Sequence, residues 1–285
     1  MAHPDDRRLY DSNDYYGADP AARRLTALLD APLTWLDRRK ASFVHRLLGN
    51  RAGRILDVGA GDGKFLKHAR DLGHAVRGTT ASERSQSAAR AQFGVELVLS
   101  EDLAGHFEGE RFDAITYWHV FEHLSDPAAH ARQWSRLLAP GGCLVIEVPN
   151  VESLGAQLSR RAWLGSDPVH HINMLTRARL EALLLEHGMR VESVGQLSAK
   201  FTYVYLWSGM LGRLFPHAYD FDSVMDTLRF PARRLRSHPL ATLNACSAVA
   251  YMVPALAPLA VLAPLTGRGE VLRIVARREP SAQAF

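Results

Sequence analysis

The run "RILDVGAGDGKFL", residues 54–66, constrains the fold more than any other part of this chain. A short apolar stretch is cut by glycines at alternate positions, Gly59, Gly61 and Gly63, and then resumes with a helical pattern. Phe65, Leu66, Ala69 and Leu72 fall on one helical face, and Gly73 supplies the stop. A strand that turns through glycines directly into a helix lets backbone approach a ligand closely. The new helix adds unpaired N–H groups and the positive end of its dipole. Such a unit needs a sheet behind it.

The rest of the chain supplies that sheet. "HAVRGTT", "VELVLS", "FDAITYWHV", "CLVIEVP" and "MRVESVGQ" read as strands two to six, and "EVLRIVARR" reads as a seventh. Between them lie helical patterns. "SERSQSAARAQF" has Ser82 as a plausible N-cap, and "SDPAAHARQWSRLLAPGG" carries Pro127 in its first turn and ends at Pro140 and two glycines. "TRARLEALLLEHG" is capped by Thr176 and closed by Gly188. Strands alternating with helices predict an α/β fold with a doubly wound, Rossmann-like seven-stranded sheet and right-handed crossovers. Three regions are expected: an N-terminal helical cap over 1–50, a core over 51–198 plus 269–279, and a long insertion over 199–268 between strands six and seven.

The insertion opens on Phe201, Tyr203, Tyr205 and Trp207, and then carries Arg229, Arg233, Arg234 and Arg236. From Pro239 to Gly267 it holds no charged side chain. That length would satisfy a membrane span, but four prolines (Pro239, Pro254, Pro258 and Pro264) oppose one straight helix, each interior proline costing ~3 kcal/mol. A surface-associated apolar hairpin and a buried packing or dimer element are weighed evenly, ahead of a true span. The basic group and the apolar run make 229–267 a candidate for peripheral membrane contact.

Composition narrows the class further. The chain has 285 residues, a formal charge of +4 and only four lysines, so arginine carries almost all the positive charge. No RNP-type aromatic boxes or zinc-finger spacing accompany it, and nucleic acid is not an expected partner. Two cysteines without ligand spacing exclude a disulfide framework and a structural zinc. The N-terminus lacks an apolar h-region, so a cytoplasmic setting is expected.

Asp57, two residues before the first glycine, sharpens the reading of the turn. A carboxylate there would repel a pyrophosphate, and the G-x-G-x-G spacing departs from the G-x-G-x-x-G of dinucleotide folds. It suits a cationic ligand.

With "ILDVGAGDGKFL", "RFDAITYWHVFEHLSDP" and "RLLAPGGCLVIEVPN" in this order, the chain resembles the class I S-adenosylmethionine-dependent methyltransferases over roughly residues 50–195 and the last strand. It is most similar to a bacterial small-molecule subgroup with an "EHL" block and a His-rich loop, here "DPVHHINMLTRARLEALLLEHGM". The resemblance implies a mostly parallel sheet with an antiparallel last strand. It implies S-adenosyl-L-methionine as cofactor and S-adenosyl-L-homocysteine as product. By it, Asp57, Gly59, Ala60, Gly61 and Gly63 would meet the amino-acid part and ribose of the cofactor. The family usually places an acid after the second strand to bind the ribose; this chain has Thr80, followed by Ala81 and Ser82. Glu101, Asp102 and Leu103 match positions beside the adenine, and Trp118 and His119 positions beside the methionine moiety.

Methyl transfer from a sulfonium is an in-line displacement in which alignment supplies ~7–11 kcal/mol of the barrier. A base is needed when the acceptor is a hydroxyl, a phenol or a carbon acid. The candidates are His171, then His170, with Glu122 and His123 of the "EHL" block. A hydrogen-bonded pair that fixes the loop is the plainer role for Glu122 and His123, and no required metal is expected. The expected activity is methylation of a small-molecule acceptor, with oxygen ahead of carbon or nitrogen, on a sugar, lipid-linked or quinone-type compound. A catalytically silent scaffold is the alternative from another class. A homodimer is a further expectation.

Overall fold

The computed structural model describes residues 36–100, 102–167, 170–196 and 262–278, together with Tyr205 and Pro258. The N-terminal tyrosines, Glu101 and most of the 199–268 insertion lie outside the described residues.

Helix α1 covers residues 36–47. Strand β1 (Arg54–Val58) follows, then α2 (Lys64–Asp71), β2 (Ala75–Thr80), α3 (Glu83–Phe93), the two-residue β3 (Val98–Leu99) and the short α4 (Leu103–His106). After β4 (Phe112–Trp118) come α5 (Pro127–Leu137), β5 (Leu138–Pro149), α6 (Leu154–Ser159), α7 (Arg177–Glu186), β6 (Met189–Gly195) and β7 (Val271–Arg278). The sheet order is β3-β2-β1-β4-β5-β7-β6. It is mostly parallel, with the last strand running against its neighbours. The expected fold class holds.

The capping residues act as the sequence indicated. The Ser82 hydroxyl accepts from the Ser85 N–H at the start of α3, and Thr176 Oγ1 accepts from the Arg179 N–H at the start of α7. Two boundaries differ. Of the expected strand "VELVLS" only Val98–Leu99 forms β3. Helix α5 ends at Leu137 rather than at Pro140 and the glycines, which lie inside β5. Gly141 has φ 72°, a left-handed conformation that opens the strand without ending it.

Strand β7 explains its own apolar sequence. It is inserted between β5 and β6, and Val271, Leu272, Ile274, Val275 and Ala276 are all buried, on both faces of the strand. The hydrophobic core gathers Ile55 of β1, Leu66 of α2, Ala114 of β4, Val145 of β5 and Val275 of β7, with Val44 of α1.

The described residues form two compact units. One holds those up to Ile146 with Glu181–Ser193 and residues 274–278; the other holds Glu147–Leu180 with the described part of Val194–Arg273. Among the described residues, no helix is long and apolar enough to cross a membrane.

Candidate active site

In the first unit, β1 pairs in parallel with both β2 and β4, with Asp57 level with Gly78 on one side and Thr116 on the other. The chain then leaves the sheet through Gly59, Gly61 and Gly63, with φ of 71°, 54° and 78°. Gly59 is needed for two reasons. Its backbone is left-handed, and a Cβ there would stand 2.5 Å from Val120 Cγ2. The turn is pinned to β2 by one residue: the Gly59 N–H donates to Thr79 Oγ1 (3.2 Å) and the Ala60 N–H to the Thr79 carbonyl (2.7 Å). Thr79 was not among the residues the sequence singled out. Only the pairing of β2 with β1 reveals its role.

Asp57 is buried at the mouth of this turn, and Thr116 Oγ1 donates to its Oδ1 at 2.6 Å. Burial raises its pKa to about 7, while the Thr116 hydroxyl and the Lys40 charge pull it down and Asp37 pushes it up. A cation that joins a carboxylate desolvated in this way favours its ionised form.

The segment after β2 is built differently from the family pattern. Thr80 is buried, and its Oγ1 accepts from the Ser82 N–H at 3.3 Å, a local turn that spends the hydroxyl on backbone. Ser82 is buried as the cap of α3, while Ala81 is exposed. Asp102 caps α4, its Oδ1 accepting from the Gly105 N–H at 3.0 Å, and Leu103 is buried in the core.

Trp118 ends β4, one step beyond the Val58–Tyr117 pair and thus abreast of the glycine turn. Phe65, in the first turn of α2, meets its ring edge-on at 5.6 Å, and Lys40 of α1 places its Nζ 4.7 Å from the ring centroid. His119 next adopts φ 57°, a conformation costing a non-glycine residue ~1–2 kcal/mol. Its Nδ1 lies 3.3 Å from Oε1 of Glu122, which is 1% exposed on the 3-10 turn Phe121–His123. The strained backbone thus delivers an imidazole to a buried carboxylate. His123 closes the same turn and is half-buried.

The second unit holds the other two candidates. His170 Nδ1 lies 2.8 Å and 3.0 Å from the two oxygens of Asp167. His171 Nδ1 lies 2.8 Å from the Gly165 carbonyl, which can only accept, so Nδ1 carries the proton and Nε2 the basic lone pair. Beneath this loop Glu270, 1% exposed, accepts from Ser153 Oγ (3.1 Å), the Gly155 N–H (2.7 Å) and Trp163 Nε1 (2.8 Å). Gly165 rests on the Trp163 ring, where a Cβ would come within 2.4 Å of Cζ2, and Tyr205 packs on that ring at 5.8 Å. Asp167 and Glu270 support the loop of the candidate histidines and were not singled out by the sequence. Glu270 lies 107 residues from Trp163, beyond any local pattern.

A desolvated acid beside an open glycine turn fits a cationic cofactor and disfavours a pyrophosphate. That fits the class I S-adenosylmethionine-dependent methyltransferases, with S-adenosylmethionine as cofactor. The chain belongs to the family described as a methyltransferase domain, whose model matches residues 33–194.

The ubiquinone biosynthesis O-methyltransferase of Xanthomonas axonopodis pv. citri is 29% identical over 177 residues, covering 57% of this chain and 73% of that protein. The Thiobacillus denitrificans protein of the same name is 33% identical over 125 residues, or 41% of this chain and 50% of the other. Among solved structures, a Burkholderia thailandensis 1,6-didemethyltoxoflavin-N1-methyltransferase with bound 1,6-didemethyltoxoflavin and S-adenosylhomocysteine superposes with TM-score 0.50. It is 15% identical, covering 98% of this chain and 92% of that one. The SpnF cyclase superposes with TM-score 0.53 at 19% identity, over 85% and 80% of the two chains. At such identities the shared property is the fold, and folds host several chemistries; it is the family match that carries methyl transfer.

Proposed function

We propose that this methyltransferase acts on a hydroxyl oxygen of a small acceptor, a quinone-type or phenolic ring, a sugar or a lipid-linked compound, with His171 as the base. The observation that carries the reading is the hydrogen bond from His171 Nδ1–H to the Gly165 carbonyl, which makes Nε2 the proton-accepting nitrogen. The names of the O-methyltransferase relatives support oxygen as the acceptor atom.

In this reading Asp57 holds the cofactor's amino group, and the turn from Gly59 to Gly63 accommodates it without side chains in the way. When bound, the cofactor supplies a methyl group on a sulfonium, already activated for displacement. His171 Nε2 takes the acceptor's proton as the oxygen becomes nucleophilic, and Gly165 keeps the ring in the tautomer that can do so. The Asp167–His170 pair offers a second imidazole oriented by a carboxylate.

The test is His171→Ala, assayed by methyl transfer from labelled S-adenosylmethionine to a panel of phenols, catechols and sugars. Turnover falls by ~10²–10⁴-fold while calorimetric cofactor affinity is kept. Unchanged turnover would remove the base from the scheme, and transfer only to amines or carbon acids would replace oxygen. A cytoplasmic setting with membrane contact or dimerisation through 229–267 is a separate proposal, checked by sedimentation with anionic vesicles and by the protein's mass in solution.

A further inference from the structure

Helix α1 brings a cation to the wall of the cofactor site. Lys40 Nζ stands 4.7 Å from the centroid of Trp118, which also meets the edge of Phe65 from the helix that follows the glycine turn. The parallel β1–β4 register sets Trp118 abreast of that turn. We propose that Lys40 sets the charge preference of the cofactor site, disfavouring the sulfonium of S-adenosylmethionine relative to the neutral thioether of S-adenosylhomocysteine.

Both ligands carry the ammonium group that Asp57 attracts. They differ by one positive charge, on sulfur. An ammonium resting on the Trp118 face repels that charge and occupies a ring face on which a second cation would otherwise gain cation–π stabilisation. The repulsion is present with the donor and absent with the product, so it favours the charge loss that accompanies transfer and tilts binding toward the product. Lys40 has a second, opposite influence: its charge favours the ionised form of Asp57, which helps both ligands alike. The ratio of the two affinities cancels that shared part and isolates the sulfonium. Asp37, one turn earlier on α1, acts on Asp57 with the opposite sign.

The experiment is titration calorimetry of the full chain with S-adenosylmethionine and S-adenosylhomocysteine at low salt. In Lys40→Met the ratio of donor to product affinity rises about three- to tenfold. In Lys40→Arg the charge is kept and the ratio stays within about twofold. In Lys40→Gln the ratio rises likewise, which carries the test should Lys40→Met not fold. Added salt shrinks these differences. A ratio unchanged in Lys40→Met, or shifted equally in Lys40→Arg, overturns the proposal and assigns Lys40 a packing role. The test uses no acceptor, so it stands apart from the base assigned to His171.

Discussion

Replacing Asp57 by asparagine separates the stability of this fold from its function. In the folded chain Asp57 keeps its proton to about pH 7, against 3.8 for an ordinary aspartate. Between those values the folded chain holds a proton that the unfolded chain has released. Stability therefore falls as pH rises through the window and levels off above about 7. The gap from 3.8 to about 7 corresponds to ~4 kcal/mol of lost stability at ~1.4 kcal/mol per pH unit. Asparagine matches the carboxylate in shape, can still accept from Thr116 Oγ1, and has no charge to bury. Urea unfolding should find Asp57→Asn more stable than the parent by ~2–4 kcal/mol at pH 8 and nearly equal to it near pH 4. Cofactor affinity should drop by two orders of magnitude or more, because the ammonium loses its counter-charge. Saturating S-adenosylmethionine should then stabilise the parent strongly and the variant hardly at all. A variant no more stable than the parent at pH 8, or a gain of equal size at pH 4 and pH 8, would refute the reasoning.

Gly59→Ala should cost ~2–5 kcal/mol in chemical denaturation, from its left-handed backbone and the Val120 contact together; adding Val120→Ala should restore the contact part only. Glu270→Ala should cost ~3–5 kcal/mol in the same assay, since Ser153 Oγ, the Gly155 N–H and Trp163 Nε1 lose their shared acceptor. Its turnover should fall while calorimetric affinity for S-adenosylmethionine stays near that of the parent. Turnover unaffected by Glu270→Ala would show that the loop bearing His170 and His171 does not depend on this anchor.

The parts of the molecule legible in the sequence are those specified by neighbours a few residues apart. The Gly59–Gly63 turn, the Ser82 and Thr176 caps, and the β/α alternation are all local patterns. The antiparallel last strand followed from the resemblance that these patterns supported. The end of α5 was misjudged because proline and two glycines read as a stop, whereas β5 absorbs them through the left-handed Gly141. Thr79, Lys40 and Glu270 were invisible for another reason. Each acts on a residue brought close only by the assembled fold: Gly59 from 20 positions away, Trp118 from another element, Trp163 from 107 positions away. The His119 backbone strain likewise depends on the turn that follows β4, not on its own side chain.

The place of β7 has a consequence for the order in which the molecule matures. The last strand in the chain is not at the sheet's rim but between β5 and β6. Until it arrives, β6 has no neighbour in the sheet, and the Asn150 amide and the loop around Ser153 and Trp163 lack the Gly269 carbonyl and the Glu270 carboxylate that anchor them. The glycine turn, Asp57 and Thr116 lie on β1, β4 and the start of α2, with β2 beside them, all earlier in the chain. The anchors of the loop bearing His170 and His171 are thus made by a pairing across more than a hundred residues, the kind of distant contact that topology makes slow to form.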